Sequence, residues 1–118
     1  MNWLIVFVGG GIGSIMRFGI GKLLPIKGFS FPWATFLSNF LACILFAVTL
    51  LLIQKSQKND WIQPFMLVGI CGGFSTFSTF SYENYQLFQS GNYLILILNV
   101  FLSLFLGFGS FWAMKLGV

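Results

Sequence analysis

Apolar residues come in four long runs separated by three short polar stretches, each run about as long as the ~20 residues that cross a bilayer's hydrocarbon core as a helix. The first extends from about Trp3 to Leu24, is glycine-rich through Gly9-Gly10-Gly11-Ile12-Gly13, and carries Arg17. Lys22, Pro25, Lys27 and Gly28 mark its exit. The second, about Trp33 to Ile53, follows Pro32 and stops before the polar stretch Gln54 to Asp60. The third, about Ile62 to Tyr82, is less hydrophobic and is interrupted by Gly69, Gly72, Gly73 and a run of hydroxyls. The fourth, about Tyr93 to Lys115, is the cleanest, with Asn99, Ser103 and Ser110 as its polar members. Turns are expected near 25–32, 54–61 and 84–92. Trp3, Trp33, Trp61, Tyr93 and Trp112 fall near the run ends, where aromatic belts sit. The pattern predicts an all-α membrane protein of four transmembrane helices, forming a single domain over residues 1–118.

Composition strengthens that reading. Only 7% of the 118 residues are charged and 58% are hydrophobic; soluble domains carry roughly 25% charged residues. A soluble globule of this make-up would expose apolar patches far larger than monomers tolerate. The first run lacks a basic start and an Ala-x-Ala-like site and has full spanning length, which argues against a cleaved signal peptide. With no His, one Asp (Asp60) and one Glu (Glu83), one subunit has no paired-carboxylate, His-triad or His-metal chemistry, so no enzyme is expected. The net charge of +4 comes from Lys and Arg residues standing singly at run ends, not from the contiguous basic face that nucleic acid requires. Cys43 and Cys71 lie in apolar runs and read as small buried hydrophobes.

Four short helices enclose little by themselves, so a pore would lie between subunits and a dimer or higher oligomer is expected. Small residues four apart support close helix packing: Gly9 with Gly13, Gly10 with Ser14, and Gly109 with Ala113 and Gly117. The near-match Gly9-x-Gly11-x-x-Ser14 to a dinucleotide fingerprint lacks the following strand and acidic residue, and packing is its better reading. Polar groups inside a membrane are costly and mark pathways. Arg17 either snorkels to the interface or serves such a pathway. Asn39, six residues into its run, either hydrogen-bonds a neighbouring helix or lines an aqueous path.

The third run is the informative one, Gly72-Gly73-Phe74-Ser75-Thr76-Phe77-Ser78-Thr79-Phe80-Ser81-Tyr82-Glu83. Adjacent glycines at mid-membrane depth invite a helix break, whose freed carbonyls must be satisfied by protein, water or an ion. Beyond it, Phe77 and Phe80 share one helical face, and Ser78 and Ser81 an adjacent one. Hydroxyls, an amide and the positive edges of aromatic rings suit an anion better than a cation. The residues alone support an anion-conducting or anion-binding dimer.

Gly10-Gly11-Ile12-Gly13-Ser14-Ile15-Met16-Arg17, Ser38-Asn39, the whole third-run motif, and Asn99 with Ser103 resemble the Fluc (CrcB) fluoride channels. The resemblance covers all four runs. It implies an antiparallel, dual-topology homodimer in a microbial cell membrane, exporting fluoride passively through two pores, with a sodium ion at the dimer centre. By position it places Asn39, Ser78, Thr79, Ser103 and Asn99 in the polar lining and makes Phe77 and Phe80 the ring pair whose edges face fluoride. It makes the Gly72 and Ser75 carbonyls the sodium ligands, matches Arg17 to the first-helix arginine, and puts Glu83 at a pore mouth. Two departures stand out: Asn99 replaces the Tyr of some relatives, and Gly107 a hydroxyl.

The rival from another class is a small multidrug exporter, which needs a carboxylate deep in the membrane; Glu83 at the end of the third run argues against it. An accessory subunit without a transport role would have no organised polar stripe. The charges bear on orientation. Lys55, Lys58 and Lys115 fall on one side and Lys22, Lys27 and a snorkelling Arg17 on the other, three against three, or three against two without Arg17. Orientation follows Lys/Arg bias in short loops, so the chain is expected to insert both ways up.

Overall fold

The computed structural model describes residues 2–28, 30–56 and 60–117, and the described residues contain helices and no strands. Four helical spans are long and apolar enough to cross a membrane, Asn2–Leu23, Trp33–Lys55, Gln63–Gln89 and Tyr93–Leu116. Helices α1 (Asn2–Leu23), α2 (Trp33–Lys55) and α5 (Tyr93–Leu116) are continuous. The third span is composite: a π-helical stretch, Gln63–Cys71, passes into one turn, α3 (Gly72–Phe74), and after a break α4 (Phe77–Gln89) begins. At 1.5 Å per residue, the 22 residues of α1 extend about 33 Å, matching a hydrocarbon core of about 30 Å.

Two expectations about the third span need correction. The span runs on to Gln89, and only Ser90, Gly91 and Asn92 form the turn, rather than 84–92. Tyr82, Tyr85, Gln86 and Gln89 explain the difference. Their polarity weakens the apolar signal, yet Gln86 Nε2 donates to Tyr82 Oη and Gln89 Nε2 to Tyr85 Oη, pairs at the i, i+4 spacing that supports a helix. The break also falls later than the glycine pair. Gly72 is helical, with φ −64° and ψ −36°, and the extended residues are Ser75 (φ −84°, ψ 158°) and Thr76 (φ −150°, ψ 114°).

The glycines serve packing. A Cβ on Gly9 would come within 2.6 Å of the Phe65 carbonyl oxygen, and one on Gly69 within 2.9 Å of Gly9 Cα. Gly13 and Gly73 close the same crossing one turn along, against Ile70 and Gly10 respectively. The first and third spans therefore touch backbone to backbone. The Gly109–Ala113 pair does not take part in such a contact; it lines an apolar groove of about 510 Å³ between α2 and α5, with Phe40, Ala47 and Phe105. Lys58 and its neighbours 57 and 59 lie outside the described residues.

Candidate functional site at the third-span break

The break forms because its backbone groups find other partners. The Cys71 carbonyl accepts both the Ser75 N–H at 3.1 Å and the Ser75 hydroxyl at 2.9 Å, which ends α3. In an unbroken helix the Thr76 N–H would close on the Gly72 carbonyl. Here it donates to Asn39 Oδ1 at 2.7 Å, and Asn39 Nδ2 donates to the Thr76 carbonyl at 3.4 Å. The Asn39 side chain thus acts as a piece of backbone, clamping the extended residue from α2. The Arg17 Nε–H donates to the Gly73 carbonyl at 3.0 Å. Arg17 is therefore turned inward, which takes it out of the snorkelling count. The Thr76 hydroxyl caps α4 by accepting the Thr79 N–H at 3.2 Å, a donor that would otherwise reach the Ser75 carbonyl. The Gly72 and Ser75 carbonyls are thereby relieved of their helical donors.

Arg17, Ser14, Thr35, Ser38, Thr76 and Thr79 border a cavity of about 310 Å³ between α1, α2 and α4. Ser38 is 1% exposed and its hydroxyl oxygen has no partner among the described residues. A buried hydroxyl left bare costs roughly 1–3 kcal/mol, so this one calls for a water or an anion in the cavity. Thr35, Ser38, Thr76 and Ser14 were not singled out by sequence reasoning as site residues. The available signal was the polar set Thr35, Ser38 and Asn39, spaced three and four apart in an otherwise apolar helix.

The remaining candidates fall in three other places. Phe77 and Phe80 have ring centroids 6.4 Å apart at 37°, and Phe77 is 81% exposed, directed away from its own chain. Ser78 is exposed beside them, its hydroxyl 3.2 Å from that of Thr76. On α5, Asn99 is 1% exposed; its Nδ2 donates to Asn84 Oδ1 at 2.8 Å, and Ser103 Oγ donates to Asn99 Oδ1 at 3.3 Å. Glu83 is buried in the body of α4 and borders a small cavity with Ile26, Gly28, Ser30, Pro32 and Gln86. The structure brings Arg17, Asn39, Thr79 and the break together, places Glu83 one turn along α4 from Thr79, and puts the Asn99–Ser103 pair on α5.

A sequence profile described as "CrcB-like protein, Camphor Resistance (CrcB)" matches residues 4–117, nearly the whole chain. The chain belongs to the CrcB family. Curated relatives agree along most of the chain. One from Azobacteroides pseudotrichonymphae is 43% identical over 87% of this chain and 84% of its own. One from Thermus thermophilus is 40% identical over 98% of this chain and 94% of its own. A third, from Coxiella burnetii, is 33% identical over 95% and 93%. Each of those proteins is named a fluoride-specific ion channel FluC. Because Glu83 lies inside the third span, its position no longer argues against a carboxylate-dependent exporter; membership of the CrcB family is what decides.

Proposed function

We propose that this protein is a fluoride-selective channel that lets fluoride leave the cell passively. The observation that carries the reading is its CrcB match over residues 4–117. The relatives named as fluoride-specific channels cover up to 98% of it. The site chemistry agrees. Fluoride is small, strongly hydrated and a good hydrogen-bond acceptor, so a pore must replace its water with donors without trapping it. Asn39, Ser78 and Thr79 offer neutral donors, Asn99 and Ser103 extend the polar lining onto α5 with their protons bonded inward, and Arg17 supplies positive potential already moderated by its bond to Gly73. Phe77 and Phe80 add ring edges, a weak positive field with no fixed charge. Glu83, buried in α4 beside Ile26, Ser30 and Pro32, is assigned to the mouth of the path by its match to the family's acidic residue. Hydrogen fluoride enters cells as a neutral weak acid and dissociates, so a passive anion path suffices for export.

The working unit is an antiparallel homodimer in the cell membrane, with chains inserted in both orientations and two pores. Supporting this, one chain measures only 20 Å in its thinnest direction, about two helix diameters, too thin to surround a path. Exposed Gly72 and Ser78 flank the break, and polar groups at that depth require protein or water rather than lipid. A sodium ion at the dimer centre is the natural guest for the Gly72 and Ser75 carbonyls. They are oxygen donors of the kind hard cations take, and their helical partners are bonded elsewhere. The ion would tie the two breaks together as a structural element.

The test is fluoride efflux from liposomes carrying the purified protein, followed with a fluoride electrode and no proton gradient. Rapid release, with chloride retained under the same conditions, is expected. Absence of fluoride release, or movement of cationic drugs in exchange for protons, overturns the reading.

A further inference from the structure

The three-member hydrogen-bond chain Asn84–Asn99–Ser103 contains one residue, Asn84, to which nothing above gives a role. We propose that Asn84 is a positioning residue that sets which way the Ser103 hydroxyl points its proton, and hence whether α5 offers the permeating anion a donor. The proposal rests on the reading that Ser103 lines a fluoride path.

Ser103 has a single proton. In the arrangement described, that proton goes to Asn99 Oδ1 at 3.3 Å, while Asn99 Nδ2 donates to Asn84 Oδ1 at 2.8 Å. Ser103 then turns only lone pairs outward, which repel an anion. Asn99 is 1% exposed, so water cannot replace either neighbour and its amide takes its orientation from them. A half-turn of both amides exchanges nitrogen and oxygen at nearly unchanged positions. The chain then runs the other way: Asn84 Nδ2 to Asn99 Oδ1, Asn99 Nδ2 to Ser103 Oγ, and the Ser103 O–H outward to the anion. Both polarities keep the same two internal bonds, so an anion arriving at Ser103 selects the second by the donor it gains. Reversal requires a residue at position 84 able to donate or accept from one place, which an amide does. Asn84 is only partly buried, so its outer amide atom can change from donor to acceptor without being stranded.

The experiment compares Asn84→Asp with Asn84→Leu, each alone and with Ser103→Ala, by fluoride efflux from liposomes, scoring only variants that elute as folded protein. Measured at a pH that keeps it ionised, a carboxylate at 84 accepts only, which locks the Ser103 proton inward. Leu neither donates nor accepts, and leaves Asn99 free to turn. Asn84→Asp is therefore expected to lower flux about tenfold below Asn84→Leu, the scale of one adverse hydrogen bond. The difference should vanish when Ser103 is Ala. A merely structural role predicts the opposite order, since Asp is nearly isosteric with Asn. Repulsion by the new charge predicts the same loss with or without the Ser103 hydroxyl. Either result overturns the proposal. If Asn84→Asp does not fold, Asn84→Met supplies a neutral acceptor without a proton and must also conduct less than Asn84→Leu; equal flux overturns the proposal. Wild-type protein that releases no fluoride would sink the channel reading itself. A conducting wild type whose Ser103→Ala variant is unimpaired would sink only the proposal for α5.

Discussion

At the scale of single residues, Asn39 shows how one amide can make a broken membrane helix tolerable. Its Oδ1 takes the Thr76 N–H at 2.7 Å, a donor that would otherwise face an apolar interior. Replacement by Leu strands that N–H at a cost of about 1–3 kcal/mol. Asn39→Leu should lower the melting temperature in detergent by at least about 5 °C and abolish flux. Unchanged melting would show that the break is held by something other than this clamp. The ring pair makes a separable prediction. Phe77→Ile and Phe80→Ile keep bulk and lose the quadrupole, so each should cut fluoride efflux severely while the protein stays folded. Wild-type flux in both would demote the rings to packing. Phe77, Phe80 and Asn39 were legible in the sequence as a stripe and a deep amide; the Asn84–Asn99 pairing was not, because sequence spacing carries no signal for a contact between two different helices.

At the scale of elements, the first and third spans are joined by glycine against glycine. A Cβ on Gly69 would sit 2.9 Å from Gly9 Cα, where backbone on both sides leaves nothing to give way. Gly69→Val should therefore separate the two spans and yield misfolded or aggregated protein, whereas Gly11→Ala, with open space around it, should be silent. Equal behaviour of the two variants in size-exclusion chromatography would contradict the crossing. The Gly9–Gly13 spacing announced a close contact, and the structure identifies its partner as a span of the same chain. The break at Ser75–Thr76 also bears on sodium. An ion bound there would stabilise the folded assembly by mass action, by about 2.7 kcal/mol at a hundredfold excess over its dissociation constant. Exchanging sodium for a bulky organic cation through purification should lower thermal stability, and adding sodium back should restore it. Stability indifferent to sodium would remove the ion from the account.

At the scale of the molecule, orientation rests on a thin margin of charge. With Arg17 bound inward to Gly73, the Lys count is three against two, still close to balance. Adding Lys residues to the 54–61 loop in one variant and to the 25–32 turn in another should lock each in one orientation. Each alone is expected to leave cells sensitive to fluoride, and co-expression should restore resistance. Full protection by either alone would mean a parallel assembly.

The sequence by itself determined the four spans, the membrane setting, the absence of His-based chemistry and the stripe of rings beside hydroxyls. All of these follow from local periodicity and composition, which need no partner to be read. Only the tertiary structure decided where the third span breaks and which groups satisfy it. The glycine pair looked like the weak point, yet the helix continues through it, with Gly73 packed against the backbone of the first span. It parts instead at Ser75 and Thr76, where Asn39 from one helix and Arg17 from another supply the missing bonds. A helix opens in an apolar medium only where its neighbours bring replacement hydrogen bonds, and where neighbours lie is a property of the packed fold.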